Sequence, residues 1–192
     1  MALGRLIGAG VAGLGLVGAG LTGLAFDDNS VRDETGEITE GGEVGAFRVR
    51  LGDCMVDPGE GMIESVEAVP CADPHDLEIY HAFNLVGSSA DYPSDMDMQA
   101  DNGCYNAFEP FVGKSYESSV YDNMIITPTE QSWKELDDRE VLCALTSYDG
   151  QATFGSGQGT AQYVPAGRRS TAQVSTEVHG RSRTIARMRA LL

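Results

Sequence analysis

Leu51-Gly52-Asp53-Cys54 and Val69-Pro70-Cys71-Ala72-Asp73-Pro74-His75-Asp76 bracket the stretch on which the fold turns. Between them Asp57-Pro58-Gly59-Glu60-Gly61 is a turn signal, and Ile63 to Val69 alternates with the two-residue period of a strand. A hairpin built this way sets Cys54 opposite Cys71. The chain has four cysteines, so the same step pairs Cys104 with Cys143, one of three possible connectivities. An even set of bridged cysteines belongs to an oxidising compartment.

Working outward, Ala46-Phe47-Arg48-Val49-Arg50-Leu51 alternates apolar and basic residues, which predicts a half-buried strand and a domain starting near Phe47. On the other side, Leu77 to Val86 predicts the best strand of the chain, with Leu77, Ile79, His81, Phe83 and Leu85 on one face. Ser94 then stands where a helix N-cap accepts a backbone N–H, and Met96, Ala100, Cys104, Ala107, Phe108 and Phe111 recur at helical spacing up to Gly113. That spacing buries Cys104. Tyr121 to Thr127 and Val141 to Leu145 read as strands, and Thr127 to Trp133 as a turn opening a short helix, with Trp133 as a core anchor. The expected fold is α+β: a small antiparallel sheet packed against one main helix and stapled by the Cys54–Cys71 and Cys104–Cys143 bridges.

The ends are of a different character. Residues 6–26 carry no charge, follow Arg5 and precede Asp27 and Asp28, and their length matches about 30 Å of hydrocarbon. This predicts a single-pass cell-membrane anchor, or a secretion signal if it is cleaved, with residues 1–5 cytoplasmic and the rest of the chain extracytoplasmic. The Gly8-Ala9-Gly10-Val11-Ala12-Gly13 run has the glycine pattern of a dinucleotide loop but no strand before it and no βαβ unit around it, so that reading fails. Residues 27–45 are acidic and poor in apolar side chains, which predicts a flexible linker. Residues 46–156 form the expected domain, and residues 157–192 read as a glycine-rich, then basic tail that is disordered or forms a short amphipathic helix. The net charge is −16; the tail from Pro165 onward holds six arginines against Glu177, or +5, which leaves −21 on the rest. Such a body repels nucleic acid.

Read in order, Gly52-Asp53-Cys54, Val69-Pro70-Cys71, Pro74-His75-Asp76, Glu78, Tyr92-Pro93, Cys104, Phe111-Val112-Gly113, Pro128-Thr129, Ser132-Trp133, Arg139 and Cys143 form a pattern. It resembles the septum formation domain family of actinobacterial cell-envelope proteins over roughly Phe47 to Ser156, with a membrane segment ahead of the domain as is typical there. The family's Trp-x-x-Gly-Asp-Arg run is one residue longer here and lacks the glycine: Trp133-Lys134-Glu135-Leu136-Asp137-Asp138-Arg139. The basic tail after Pro165 has no counterpart in the pattern. The resemblance implies an envelope protein tied to cell division, with Gly52, Asp53, Pro74, His75, Asp76, Trp133 and Arg139 as motif residues and no established catalytic activity.

The residues themselves offer few catalytic arrangements. Asp73, His75, Asp76 and His81 are the one cluster of metal-ligand type, but on a regular strand His81 points away from Asp76. The expectation is therefore structural: Asp73 and Asp76 cap turns, and His75 bonds the backbone beside the bridge. A cysteine nucleophile beside His75 conflicts with bridged cysteines, and a serine hydrolase built on Ser132 or Ser156 lacks the strand-to-helix elbow. No metal, cofactor or catalytic residue is assigned. The reading that follows is a non-enzymatic, membrane-anchored module that recruits or regulates cell-envelope or division proteins. The alternatives are an extracytoplasmic binding or sensor domain for a small molecule or wall component, and a wall hydrolase.

Overall fold

A computed structural model describes residues 27–59, 61–88 and 90–160, together with the backbone of 184–188. β1 (Val31–Arg32) and β2 (Ile38–Glu40) form a two-stranded antiparallel ribbon. The main sheet takes β3 (Gly42–Gly45), β4 (Cys54–Met55), β5 (Met62–Ile63), β6 (Ser65–Val69), β7 (Leu77–Asn84), β8 (Tyr121–Thr127), β9 (Glu140–Ser147) and β10 (Thr184–Met188). Their order is β3-β6-β4-β7-β9-β8-β10-β5. Only Glu64 separates β5 from β6, yet the two lie near opposite ends of that order, so the sheet must curl until its ends approach. Pairing is antiparallel except around β10, which runs parallel to both β8 and β5.

The curl gives the sheet an inner and an outer face. Val44, Met55, Val66, Leu77, Ile79 and Leu142 belong to one buried cluster, closed by Ile38, Ala46 and Val49 from the chain ahead of β4. On the other face Tyr80, Ile125, Val141 and Cys143 of the central strands pack against α1 (Met96–Val112) through Met96, Ala100, Cys104, Phe108 and Val112. Each large apolar side chain buried this way contributes about 1.5–3 kcal/mol relative to exposure. Gly113 ends the helix in the left-handed conformation at φ 80°, its N–H bonded to Glu109 O, as its place in the sequence predicts. A second helix, α2 (Glu130–Glu135), opens on a capping box in which Thr129 and Ser132 satisfy each other's backbone N–H groups. The α+β plan, the helix-on-sheet packing and both disulfide pairings are as expected from the sequence.

Five local expectations need correction. Residues 46–51 do not form a strand: Ala46–Arg48 is a 3₁₀ turn, which buries Ala46 and Val49 three positions apart, and Gly52 at φ 88° then turns the chain. Residues 27–45 are no flexible linker. They hold β1, β2 and β3, bury Ile38 and Val44, and are pinned by charged hydrogen bonds that an apolar count does not register. In β7 the pairing with β9 slips between Ile79 and His81, so the run of alternate residues breaks: Ile79 and Ala82 belong to the inner cluster, Tyr80 and Phe83 to the outer one. The residue preceding α1 is Asp95 rather than Ser94, and its side chain makes no cap bond. In the tail, Gly157 to Gly159 is held to the body, by Gly157 N–H on Glu78 and Gly159 N–H on Phe111 O, and Thr184–Met188 is a strand rather than disordered or helical. The expected anchor at 6–26 and the remainder of the tail lie outside the described residues. Among those described, no helix is long and apolar enough to cross a membrane.

Candidate functional site

The motif residues meet around the Cys54–Cys71 bridge, whose Cα atoms are 5.1 Å apart. β4 runs antiparallel to both β6 and β7, with Cys54 opposite Val69 on one side and Glu78 on the other. Gly52 donates its N–H to Ile79 O at 2.8 Å, and its own carbonyl oxygen lies 3.4 Å from Cys71 Sγ. Asp53, 4% exposed, accepts Arg50 N–H at 2.8 Å and a two-pronged guanidinium contact from Arg32 at 2.6 and 3.0 Å. Arg32 also donates to Asp28 and to Gly36 O. One cation thus ties the stretch ahead of β3 to the first motif, and its pKa is raised above the ordinary arginine value, chiefly by the Asp53 hydrogen bond.

His75 is buried, with Nδ1 2.9 Å from Asp73 O and its backbone exchanging bonds with Thr153 at 3.0 and 2.7 Å. Pro74 leads into this bridge with a preset backbone angle and no N–H to satisfy. Asp76 accepts Asp57 N–H at 3.0 Å and so closes the turn beyond β4. Glu78, also buried, accepts the Ser156 hydroxyl and, at 2.7 Å, Gly157 N–H. Asp53 therefore holds the stretch around Arg32, Asp76 holds the turn at Asp57, and the His75 backbone together with Glu78 holds residues 153–157. His81 stacks on Phe83 with ring centres 5.5 Å apart. Among the described residues no group of three or more His, Cys, Asp or Glu side chains could hold a metal ion, and no cysteine is free.

Trp133 and Arg139 form a second centre. Trp133 is fully buried and donates Nε1–H to Ser88 O at 2.9 Å. The Arg139 guanidinium lies 3.8 Å above its ring and donates to Trp133 O and Asp138 O. Asp137 takes the left-handed conformation at φ 56°, a role glycine would fill in the family's run and which aspartate tolerates. Asp138 accepts the Ser132 hydroxyl at 2.8 Å and Glu140 N–H at 3.2 Å. Burial pushes the Asp138 carboxyl up, and burial together with the Asp138 charge pushes Glu140 up. Ser132 is thus spent on the capping box and on Asp138, and Ser156 on Glu78, with no imidazole among the described residues bonded to either.

A shallow, open groove of about 540 Å³ runs along Gly41, Gly42, Glu43, Ser65, Val66 and Glu67. Its lining offers two carboxylates and no cation. Arg32 escaped the sequence reading because its partner Asp53 is remote in the chain. Its signal was being the one arginine in an otherwise acidic stretch.

A family model described as septum formation matches residues 51–184. The chain belongs to the septum formation family. That match runs past Ser156 and through much of the basic tail, which therefore has a counterpart in the family after all. Among curated proteins, the chain is 28% identical over 110 residues to an "Uncharacterized membrane protein" of Mycobacterium tuberculosis, found in strains H37Rv and CDC 1551. The alignment covers 52% of this chain and 24% of the relative, so the chain spans about a quarter of the length of the proteins it matches. No solved structure matches.

Proposed function

We propose that this member of the septum formation family is a non-enzymatic, membrane-anchored extracytoplasmic module that acts in cell division by holding partner proteins. The observation that carries this reading is how the motif side chains are used. The Asp53, Asp76 and Glu78 carboxylates bond segments remote in the chain, the His75 ring bonds Asp73 O, Ser132 and Arg139 are spent within residues 129–139, and the four cysteines are closed into bridges. A catalytic group must reach its substrate. Groups turned inward and satisfied by the protein's own backbone build a rigid scaffold instead. The bridges support an oxidising location, and the membrane relatives support attachment there through residues 6–26.

The test is deletion of the gene in its native host, complemented by the chain fused to a reporter active only outside the cytoplasm. The reading expects reporter activity, enrichment at septa and a septation defect that complementation restores. Septation unchanged by deletion, with the fusion spread evenly along the envelope, would refute the division role. A reporter silent in the envelope would refute the topology.

A further inference from the structure

Thr153 and Gly155 are both pinned to the bridge region, the first by its two backbone bonds to His75 and the second by an N–H···O bond of 2.6 Å to Cys71 O. Between them Phe154 stands 70% exposed. Leu51, 62% exposed, is held in the same manner: Arg50 N–H is bonded to the Asp53 carboxylate, and Gly52 N–H to Ile79 O. Gly52 and Gly155 both touch Cys71, so two large apolar side chains from distant parts of the sequence flank one half-buried bridge. A lone exposed apolar residue is ordinary. Two on braced backbone, unable to fold back toward the core, form a preset surface.

Acidic residues lie around this surface. Asp73, two positions from Cys71, is exposed; so is Asp57, bonded to Asp76; and Asp149 is exposed on the loop that leads to Phe154. The cation beside Leu51 is Arg50, which leans toward Asp28 at 3.9 Å. A second copy of the chain would bring two strongly acidic bodies together, which Coulomb repulsion opposes.

We propose that Leu51 and Phe154 are the apolar anchors of a docking surface for a partner protein whose apolar cleft is rimmed by lysine and arginine. This rests on the reading of the chain as a partner-holding module and names the face that would do the holding. Phe154 suits the task as a rigid aromatic anchor, because little side-chain freedom is lost when it is covered. Electrostatic complementarity at the rim sets the choice of partner.

The experiment places a photo-crosslinking residue at position 154, 51 or 86 of the full chain in its native host, Val86 being 96% exposed and remote in sequence from both anchors. The proposal expects one discrete adduct with another envelope protein from positions 154 and 51 and none from position 86. With the probe at 154, Leu51→Asp should lower its yield by about tenfold, the effect of losing one good anchor, and Asp73→Lys should also lower it by reversing a rim charge. No adduct, an adduct between two copies, an internal adduct to residues 165–192, or equal yield from position 86 would overturn it. Phe154→Asp should keep both bridges by non-reducing mass spectrometry and melt within a few degrees of the parent, yet fail to complement the deletion. Full complementation by folded Phe154→Asp would sink the docking face while leaving the division role intact, whereas a deletion without phenotype would sink the division role itself.

Discussion

Replacing Arg32 by alanine should cost far more than its place in an acidic, polar stretch suggests. The side chain is 10% exposed and Asp53 is 4% exposed, so the pair sits in the range where one lost partner leaves an uncompensated buried charge. Four contacts disappear: 2.6 and 3.0 Å to Asp53, 2.8 Å to Asp28 and 3.0 Å to Gly36 O. Of the Asp53 side-chain bonds named above, only that from Arg50 N–H remains. The expected loss is about 3–5 kcal/mol, against about 0–1 kcal/mol for a surface pair. For a domain of this size that is a fall of about 10–20 °C in Tm. Thermal melting followed by circular dichroism, with the bridges intact, measures it. Because the penalty is Asp53's stranded charge, Arg32→Ala with Asp53→Asn should be more stable than Arg32→Ala alone. A fall below about 3 °C, or simple additivity of the two changes, would show that residues 27–45 do not hold the first motif.

Opening the bridges should separate their contributions: the loop-entropy estimate gives about 3 kcal/mol for Cys54–Cys71 and about 4 kcal/mol for Cys104–Cys143. Paired alanine variants melted without reductant should therefore rank in that order, their separations being 17 and 39 residues. Gly103→Ala places a methyl 2.1 Å from the tip of the Phe83 ring, so that half-buried ring or α1 itself must shift. A loss of about 1–3 kcal/mol is expected in urea titration, and an unchanged midpoint would contradict the packing. Acidification separates two sets of carboxylates. Asp138 and Glu140 have raised pKa values, so they bind protons more readily folded than unfolded; stability should fall as pH rises through the window above the ordinary carboxylate range. Asp28, although burial opposes it, is held low by hydrogen bonds from Ser30 and Arg32, and its contribution is lost as pH falls through that depressed value. Asp138→Asn should flatten the first slope in urea midpoints measured across pH and leave the acid-side loss in place.

These expectations rest on the described body of the chain, where the bracing is dense. Glu78 illustrates the design: a buried carboxylate on β7 reaches the segment after Phe154 and holds Gly157 so close that a β-carbon there would lie 2.2 Å from Leu145. Cys71, His75 and Glu78 together fasten residues 153–157 to the motif stretch, and that fastening presents Phe154 outward.

Much was legible from the sequence alone. Local signals with a short physical range gave the hairpin from Cys54 to Cys71, the amphipathic face of α1 with Cys104 inside, the helix stop at Gly113, the turn that opens a short helix between Thr127 and Trp133, and the buried Trp133. Spacing and turn chemistry act over a few residues, so a linear reading captures them. What the tertiary structure decided were contacts between segments remote in the chain. Arg32 finds Asp53, which turns an apparent linker into part of the fold. His75 finds Thr153 and Glu78 finds Gly157, so the glycine-rich end of the domain is held rather than loose. The bulge in β7 arises because β9 sets its register, and no periodicity within β7 announces it. Hydrophobic pattern records what a residue wants to avoid, whereas a buried ion pair or a strand register depends on which partner the rest of the chain brings within about 3 Å.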